Sequence, residues 1–384
     1  MRAHVYSDAA LVKHAGRFVW LSIDTEKDQN ARFLELYPVE AWPTLFVVDP
    51  DSGAVALKWL GSATVPQLEK MLEDAERAVR PAVEALSAAE AAYDRGLRHY
   101  AGKEPADAVE DFRAALMAGG PSWPRRARAI ESLVLAELDQ GDLATCAATA
   151  VTEAASMPRG ASFANTVATG LSCALAAAGE GWRAQAIAVL EPLTREAVGL
   201  ESVLADDRSS LYDSLVSCRE EAKDAEGAKK LAGEWLTFLE EAAAKAKSPE
   251  ARSAFDAHRV SAALKLGDPA RAIPALEQTE RELPADYNAP ARLAQLYQAL
   301  GKLDEALTAS DRALAKVYGP RRLRLLENRS DLLKAKGDPA AARQVLEEAL
   351  EFAQKLPEVQ RQAFQIQRIE KRLKALGPSQ PPLR

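Results

Sequence analysis

From about residue 83 onward, apolar positions recur every three to four residues, in runs cut at near-regular intervals by a glycine. That period predicts a succession of amphipathic helices over 83–376. Gly267, Gly301 and Gly337 stand 34 and 36 residues apart, and each is followed five positions on by a small residue, Ala272, Ala306 and Ala342. A glycine can turn the chain between two helices, and a small side chain lets them cross closely. Each unit therefore reads as a helical hairpin that must stack on its neighbours to bury its apolar face. The same scheme fits Ala89–Ser122, Ala127–Gly160, Ser253–Asp286, Asn288–Pro320 and Leu323–Leu356, and more loosely 162–206 and 209–247, about seven hairpins in all. Glu358–Leu376 has no partner helix and is expected to cap the stack. The Pro-rich tail 377–384 is expected to be disordered.

The clearest copy starts at Asn288, where Leu293, Tyr297, Gly301, Leu303, Ala306 and Ala313 fall at the consensus positions of the tetratricopeptide repeat. Over about 270 residues the chain resembles that family, departing from it at the large aromatic position, held here by Asp256, Pro290 and Leu326. The resemblance implies an α-solenoid whose inner face comes from the first helix of each hairpin. Its lining residues would be Ala254, Ala257 and Ser261; Asn288, Ala291, Gln295 and Gln298; and Arg324, Glu327, Asp331 and Lys334. The Lys/Asn/Arg set with which some relatives clamp a terminal carboxylate is absent. A mixed, weakly polar groove of this kind suits an extended peptide or a partner helix.

Residues 1–82 follow a different pattern. Arg17–Ile23, Thr44–Val48 and Ala54–Leu60 are short β-branched or aromatic runs, and Asp49-Pro50-Asp51-Ser52-Gly53 is turn chemistry that should join the last two as a hairpin. Lys27–Tyr37 and Val65–Val79 have helical spacing, the second with Thr64 as N-cap. Strand, helix, Trp42-Pro43-Thr44, hairpin and helix is the order of the back half of a thioredoxin fold, which this region resembles. The resemblance implies a cis bond before Pro43, with Trp42, Pro43 and Thr44 as a substrate-facing wall; the bulky Trp42 departs from the family. No Cys-x-x-Cys exists here, since Cys146, Cys173 and Cys218 all lie in the repeats. The chain is thus expected to begin inside the first thioredoxin helix. The central strand and redox motif would then lie upstream, leaving either a gap or a distorted direct pairing between Arg17–Ile23 and Thr44–Val48.

Composition narrows the chemistry. Net charge −7 and a pI near 5.5 argue against nucleic-acid binding, and Arg321-Arg322-Leu323-Arg324, the densest basic spot, reads as a solvated helix start. No apolar run approaches a membrane span. Sparse, odd-numbered cysteines read as buried thiols in a reducing cytoplasm, or in the periplasm or outside the cell should a signal lie upstream. His4, His14, His99 and His258 are too scattered to bind a metal, and no catalytic motif or cofactor loop is present. Three readings remain: a non-catalytic scaffold for a protein or peptide partner, a thiol-disulfide oxidoreductase or chaperone whose dithiol precedes residue 1, and a repeat protein whose N-terminal part is structural filler.

Overall fold

The structure, a computed structural model, describes residues 5–6, 8–39, 42–79 and 86–377. The chain divides into two compact units. One takes the described residues up to Ala15 with those from Trp42 to Leu239; the other takes Gly16 to Val39 and Glu240 to Gly377.

In the first unit the turn chemistry acts as its residues require. Ser52 Oγ donates to Asp49 Oδ2 (2.6 Å), the Asp51 amide donates to Asp49 Oδ1 (3.1 Å), and Gly53 sits at φ +72°. This closes an antiparallel hairpin of β1 (Thr44–Val48) and β2 (Val55–Leu60), pairing Thr44 with Leu60 and Val47 with Leu57, with a bulge between Val47 and Val48. The Trp42–Pro43 bond is cis. In the second unit a 3-10 turn, Asp28–Asn30, leads into α1 (Ala31–Leu36). Back in the first unit, α2 (Val65–Val79) opens on a capping box: Thr64 Oγ1 accepts from the Gln67 amide (3.3 Å), and Gln67 Oε1 accepts from the Thr64 amide (2.9 Å).

The strand expected at Arg17–Ile23 does not form. Among the described residues the sheet has two strands, and Arg17–Ile23 is irregular chain of the second unit, with Val19 87% and Leu21 75% exposed. High β-propensity makes a strand only where a neighbouring strand supplies ladder bonds. The expected opening helix is also replaced where described: residues 5 and 6 form a turn and Ala9–His14 a 3-10 helix capped by Asp8. Met1–His4, and with them the expected mid-helix start, lie outside the described residues, as do the tail from 378 and the expected boundary at 82/83.

From Ala88 the described helices pair in sequence. In the first unit these are α3 (Ala88–Ala101) with α4 (Pro105–Gly119), α5 (Arg126–Asp139) with α6 (Leu143–Ala154), and α7 (Ala161–Ala176) with α8 (Arg183–Val198). There follow α9 (Ala205–Glu221) and α10 (Ala225–Ala244), within which the division between units falls. After the short α11 (Pro249–Ser253) come α12 (Asp256–Leu266) with α13 (Ile273–Glu282), α14 (Asn288–Ala299) with α15 (Leu303–Leu314), and α16 (Arg321–Ala335) with α17 (Pro339–Lys355). The last helix is α18 (Ala363–Ala375).

Gly141, Gly267, Gly301 and Gly337 turn their hairpins in the left-handed conformation, φ +72° to +87°, at little steric cost. Asp142 and Asp338, each following such a glycine, cap the next helix through the amides of Thr145 and Ala341. Ala272, Ala306, Ala313, Ala342 and Ala349 are buried where helices cross. In α7 the contact is tighter still: a Cβ on Gly170 would run into Ala150 of α6.

Cys146 and Cys173 are joined by a disulfide, tying α6 to α7 across successive hairpins. Both were expected as separate buried thiols. Their burial is as expected, but the close α6/α7 approach brings two cysteines 27 positions apart to a Cα–Cα distance of 6.4 Å, within bonding range. Cys218 is free and buried.

Candidate protein-binding surfaces

In the first unit the β-hairpin and the residues after it lie against first helices of several hairpins. The Arg128 guanidinium of α5 stacks 3.6 Å from the centre of the Trp59 ring, Lys58 lies over Tyr100 of α3, and Ser62 Oγ donates to Asp206 Oδ2 at the start of α9 (3.2 Å). Behind it, a buried ionic network joins α2 to the first hairpins. Arg125 bridges Asp74 (2.6 Å) and Glu90 (3.0 Å), Arg77 pairs with Asp74 (2.9 Å), and Trp123 Nε1 donates to Glu90 (3.0 Å). Burial pushes the Asp94 carboxyl at its edge above its usual range. Every charge here has an opposite partner, so the cluster is a joint between elements.

Deeper on these first helices is an acidic group. Glu131 takes a hydrogen bond from Asn165 (2.7 Å) and pairs with Arg128 (2.6 Å). Asp207 is pushed up to about 7, chiefly by burial, then by the charges of Asp206 and Glu131. Among the described residues no group of three or more His, Cys, Asp or Glu side chains is arranged to hold a metal ion. No helix among them is long and apolar enough to cross a membrane.

In the second unit the sequence-predicted lining residues separate into two sets. Gln295 and Gln298 of α14 and Arg324 and Lys334 of α16 are exposed, while Asn288 and Ala291 are half-buried. Glu327 is not open to a ligand. It is buried beneath α18, where Arg368 donates to both carboxylate oxygens (2.7 Å each) and Gln365 donates to one (3.0 Å). Burial alone would raise its pKa, but these bonds hold it below the usual glutamate value. Asp331 is exposed yet pairs with Arg372 of the same helix. Sequence reasoning placed both in the groove because it gave the capping helix no residues to contact. In the structure α18 packs as the first helix of a further repeat would, covering Leu323, Leu326 and Leu346 with Ile369.

The second unit also binds a piece of itself that the sequence did not mark. Tyr287 OH donates to Glu26 Oε2 (2.9 Å), Arg321 Nε to Glu26 Oε1 (2.7 Å), and Tyr318 OH to Asp24 Oδ2 (2.7 Å). The buried Gln360 amide donates to the carbonyls of Thr25 (3.0 Å) and Lys27 (3.2 Å). Gly319, at φ +59°, lies so close to the Glu26 carbonyl that any Cβ would collide with it. The hydrogen bond to Asp24, then burial, pushes the Tyr318 hydroxyl up to about 12; burial and the Glu26 charge raise Tyr287 as well. Both remain donors at neutral pH. Beside the segment is a cleft of about 730 Å³ lined by Lys27, Asp28 and Gln29 together with Val317, Phe352 and Leu356.

Residues 287–355, spanning the α14/α15 and α16/α17 hairpins, match the tetratricopeptide repeat family. No curated protein matches the chain. Among solved structures, it is similar to a tetratricopeptide repeat protein from Parabacteroides merdae, with 12% identity over 76% of this chain and 99% of that one, at a TM-score of 0.49. It is also similar to the TPR2AB domain of yeast Sti1 in its pHSP90 complex (13% identity, 76% of this chain, 98% of that one, TM-score 0.30) and to Pseudomonas aeruginosa pilF (16%, 64% and 97%, 0.36). At these TM-scores the likenesses add nothing to the hairpin geometry and the match over 287–355. On those two grounds residues 287–355 carry tetratricopeptide repeats.

Proposed function

We propose that this chain is a non-catalytic scaffold that binds an extended peptide or a partner helix along the first helices of its C-terminal hairpins. The observation that carries this reading is the exposed polar row Gln295, Gln298 and Arg324, on consecutive first helices inside the matched tetratricopeptide span. Rigid stacked hairpins hold such a row at fixed spacing, which lowers the ordering cost of a bound peptide. Peptides selected by display against the purified chain, measured by calorimetry, test it. The triple variant Gln295→Ala, Gln298→Ala, Arg324→Ala should lose at least about tenfold in affinity, or about 1.4 kcal/mol, with its melting temperature retained. Unchanged affinity for every selected peptide would remove this surface from the function.

A second reading is favoured by Trp42, a large aromatic left 57% exposed beside Pro43 and Thr44 at the head of β1. The order β1, turn, β2, α2 supports a thioredoxin-like module that turns Trp42, Pro43 and Thr44 toward a thiol substrate. Cys146 and Cys173 are bonded to each other and Cys218 is buried, so the residues present supply no exchangeable dithiol. Coding DNA ahead of Met1 that holds no in-frame Cys-x-x-Cys would leave the scaffold reading alone.

A further inference from the structure

We infer that Tyr287, Tyr318, Gly319, Arg321 and Gln360 form a peptide-binding site that the chain's own Asp24-Thr25-Glu26 occupies as a resident pseudo-ligand. Its exchangeable occupant is a partner segment with two carboxylates two residues apart, followed by an apolar residue. The inference rests on the scaffold reading, but its residues and its test are separate from the Gln295, Gln298 and Arg324 row.

Three features mark a built site. Donors from three separate places converge on one stretch of four residues: Tyr287 before α14, Tyr318 and Arg321 around the start of α16, and Gln360 after α17. They read an acid at alternate positions and clamp the backbone between, through the paired Gln360 bonds to Thr25 and Lys27. Gly319 admits the main chain where any side chain would block it. Side-chain selection together with backbone grip is how extended peptides are held.

Two features mark the resident segment as replaceable. Its ion pair with Arg321 is solvent-exposed, and such pairs contribute little. Preceding residues Val19 and Leu21 stand in solvent, so little apolar surface holds the segment on that side. It is also a poor fit for the neighbouring cleft. Lys27, Asp28 and Gln29 line this cleft with the half-buried Phe352, whose remaining exposed surface a leucine in place of Lys27 could cover.

The test is fluorescence anisotropy with a labelled peptide of residues 21–31 and its Lys27→Leu version. The full chain carrying Asp24→Ala and Glu26→Ala should bind the peptide at least tenfold more tightly than the unaltered chain, and the leucine version more tightly again. Adding Tyr318→Phe and Arg321→Ala should abolish binding. No binding to the folded double variant, or equal binding to the unaltered chain, overturns the inference. Hydrogen exchange of the unaltered chain gives an answer independent of that variant's folding. Saturating leucine peptide should speed exchange at Glu26, Lys27 and Asn30, whose amides are bonded in the docked state. Unchanged exchange at all three overturns it equally.

Discussion

Removing the Cys146–Cys173 bond should lower the stability of the first unit by a measurable, calculable amount. The two residues are 27 positions apart, and both side chains are fully buried at the α6/α7 contact. In the chain-entropy treatment, closing a loop of that length withdraws about 3.5 kcal/mol of conformational freedom from the unfolded state. In a unit of roughly 150–250 residues each kcal/mol moves the melting temperature by about 2–4 °C, so the expected loss is about 7–14 °C. The perturbation is Cys146→Ala with Cys173→Ala, which keeps small apolar side chains beside Ala147, Ala150 and Ala174. Thermal melts of oxidised parent and double variant, each with and without reductant, give the comparison: reductant should lower only the parent. Alkylation after unfolding without reductant should label one cysteine, Cys218. In the native state that thiol is pushed up to about 12, chiefly by burial, and should react slowly. Three labelled cysteines in unreduced protein, or melts agreeing within about 2 °C, would refute the account.

Two further perturbations probe the packing and the acidic group. Ala306 is wholly buried between α14 and α15, so Ala306→Phe should overpack the hairpin by about 1–3 kcal/mol; a melt like the parent's would show the register to be wrong. Asp207, raised in the fold to about 7, binds its proton more tightly folded than unfolded. Its contribution to stability is therefore fully present below the unfolded aspartate value near 4 and is lost as pH rises through about 7. Asp207→Asn should be progressively stabilising from pH 4 to pH 8 relative to the parent, and a difference independent of pH would exclude the assignment.

The helical hairpins were legible because each depends on local signals. Apolar spacing sets the buried face, and a glycine followed by a cap sets the turn, as at Gly141-Asp142 and Gly337-Asp338. Not every turn uses glycine: Lys223 between α9 and α10 takes the left-handed position at φ +58°, and Lys103 between α3 and α4 at φ +63°. A non-glycine residue there costs some strain, which the surrounding packed helices offset. The disulfide was not legible: spacing along the chain does not report that α6 and α7 approach closely enough for Gly170 to exclude a methyl group.

The acidic site failed to show in the sequence for a related reason. Asp24 and Glu26 are ordinary surface residues until Tyr287, Tyr318, Arg321 and Gln360, some 260–335 positions later, are folded around them. β-propensity at Arg17–Ile23 pointed to a strand ending just before Asp24. Propensity weighs only local backbone preference, whereas the chain from Asp24 to Lys27 is fixed by long-range donors. Once these residues are held by hydrogen bonds to repeat loops, the preceding run cannot also be positioned freely for a ladder. The competition has a consequence for function. A segment held by polar, partly exposed contacts can exchange with another of the same chemistry, while a central strand of a sheet cannot leave without unfolding it.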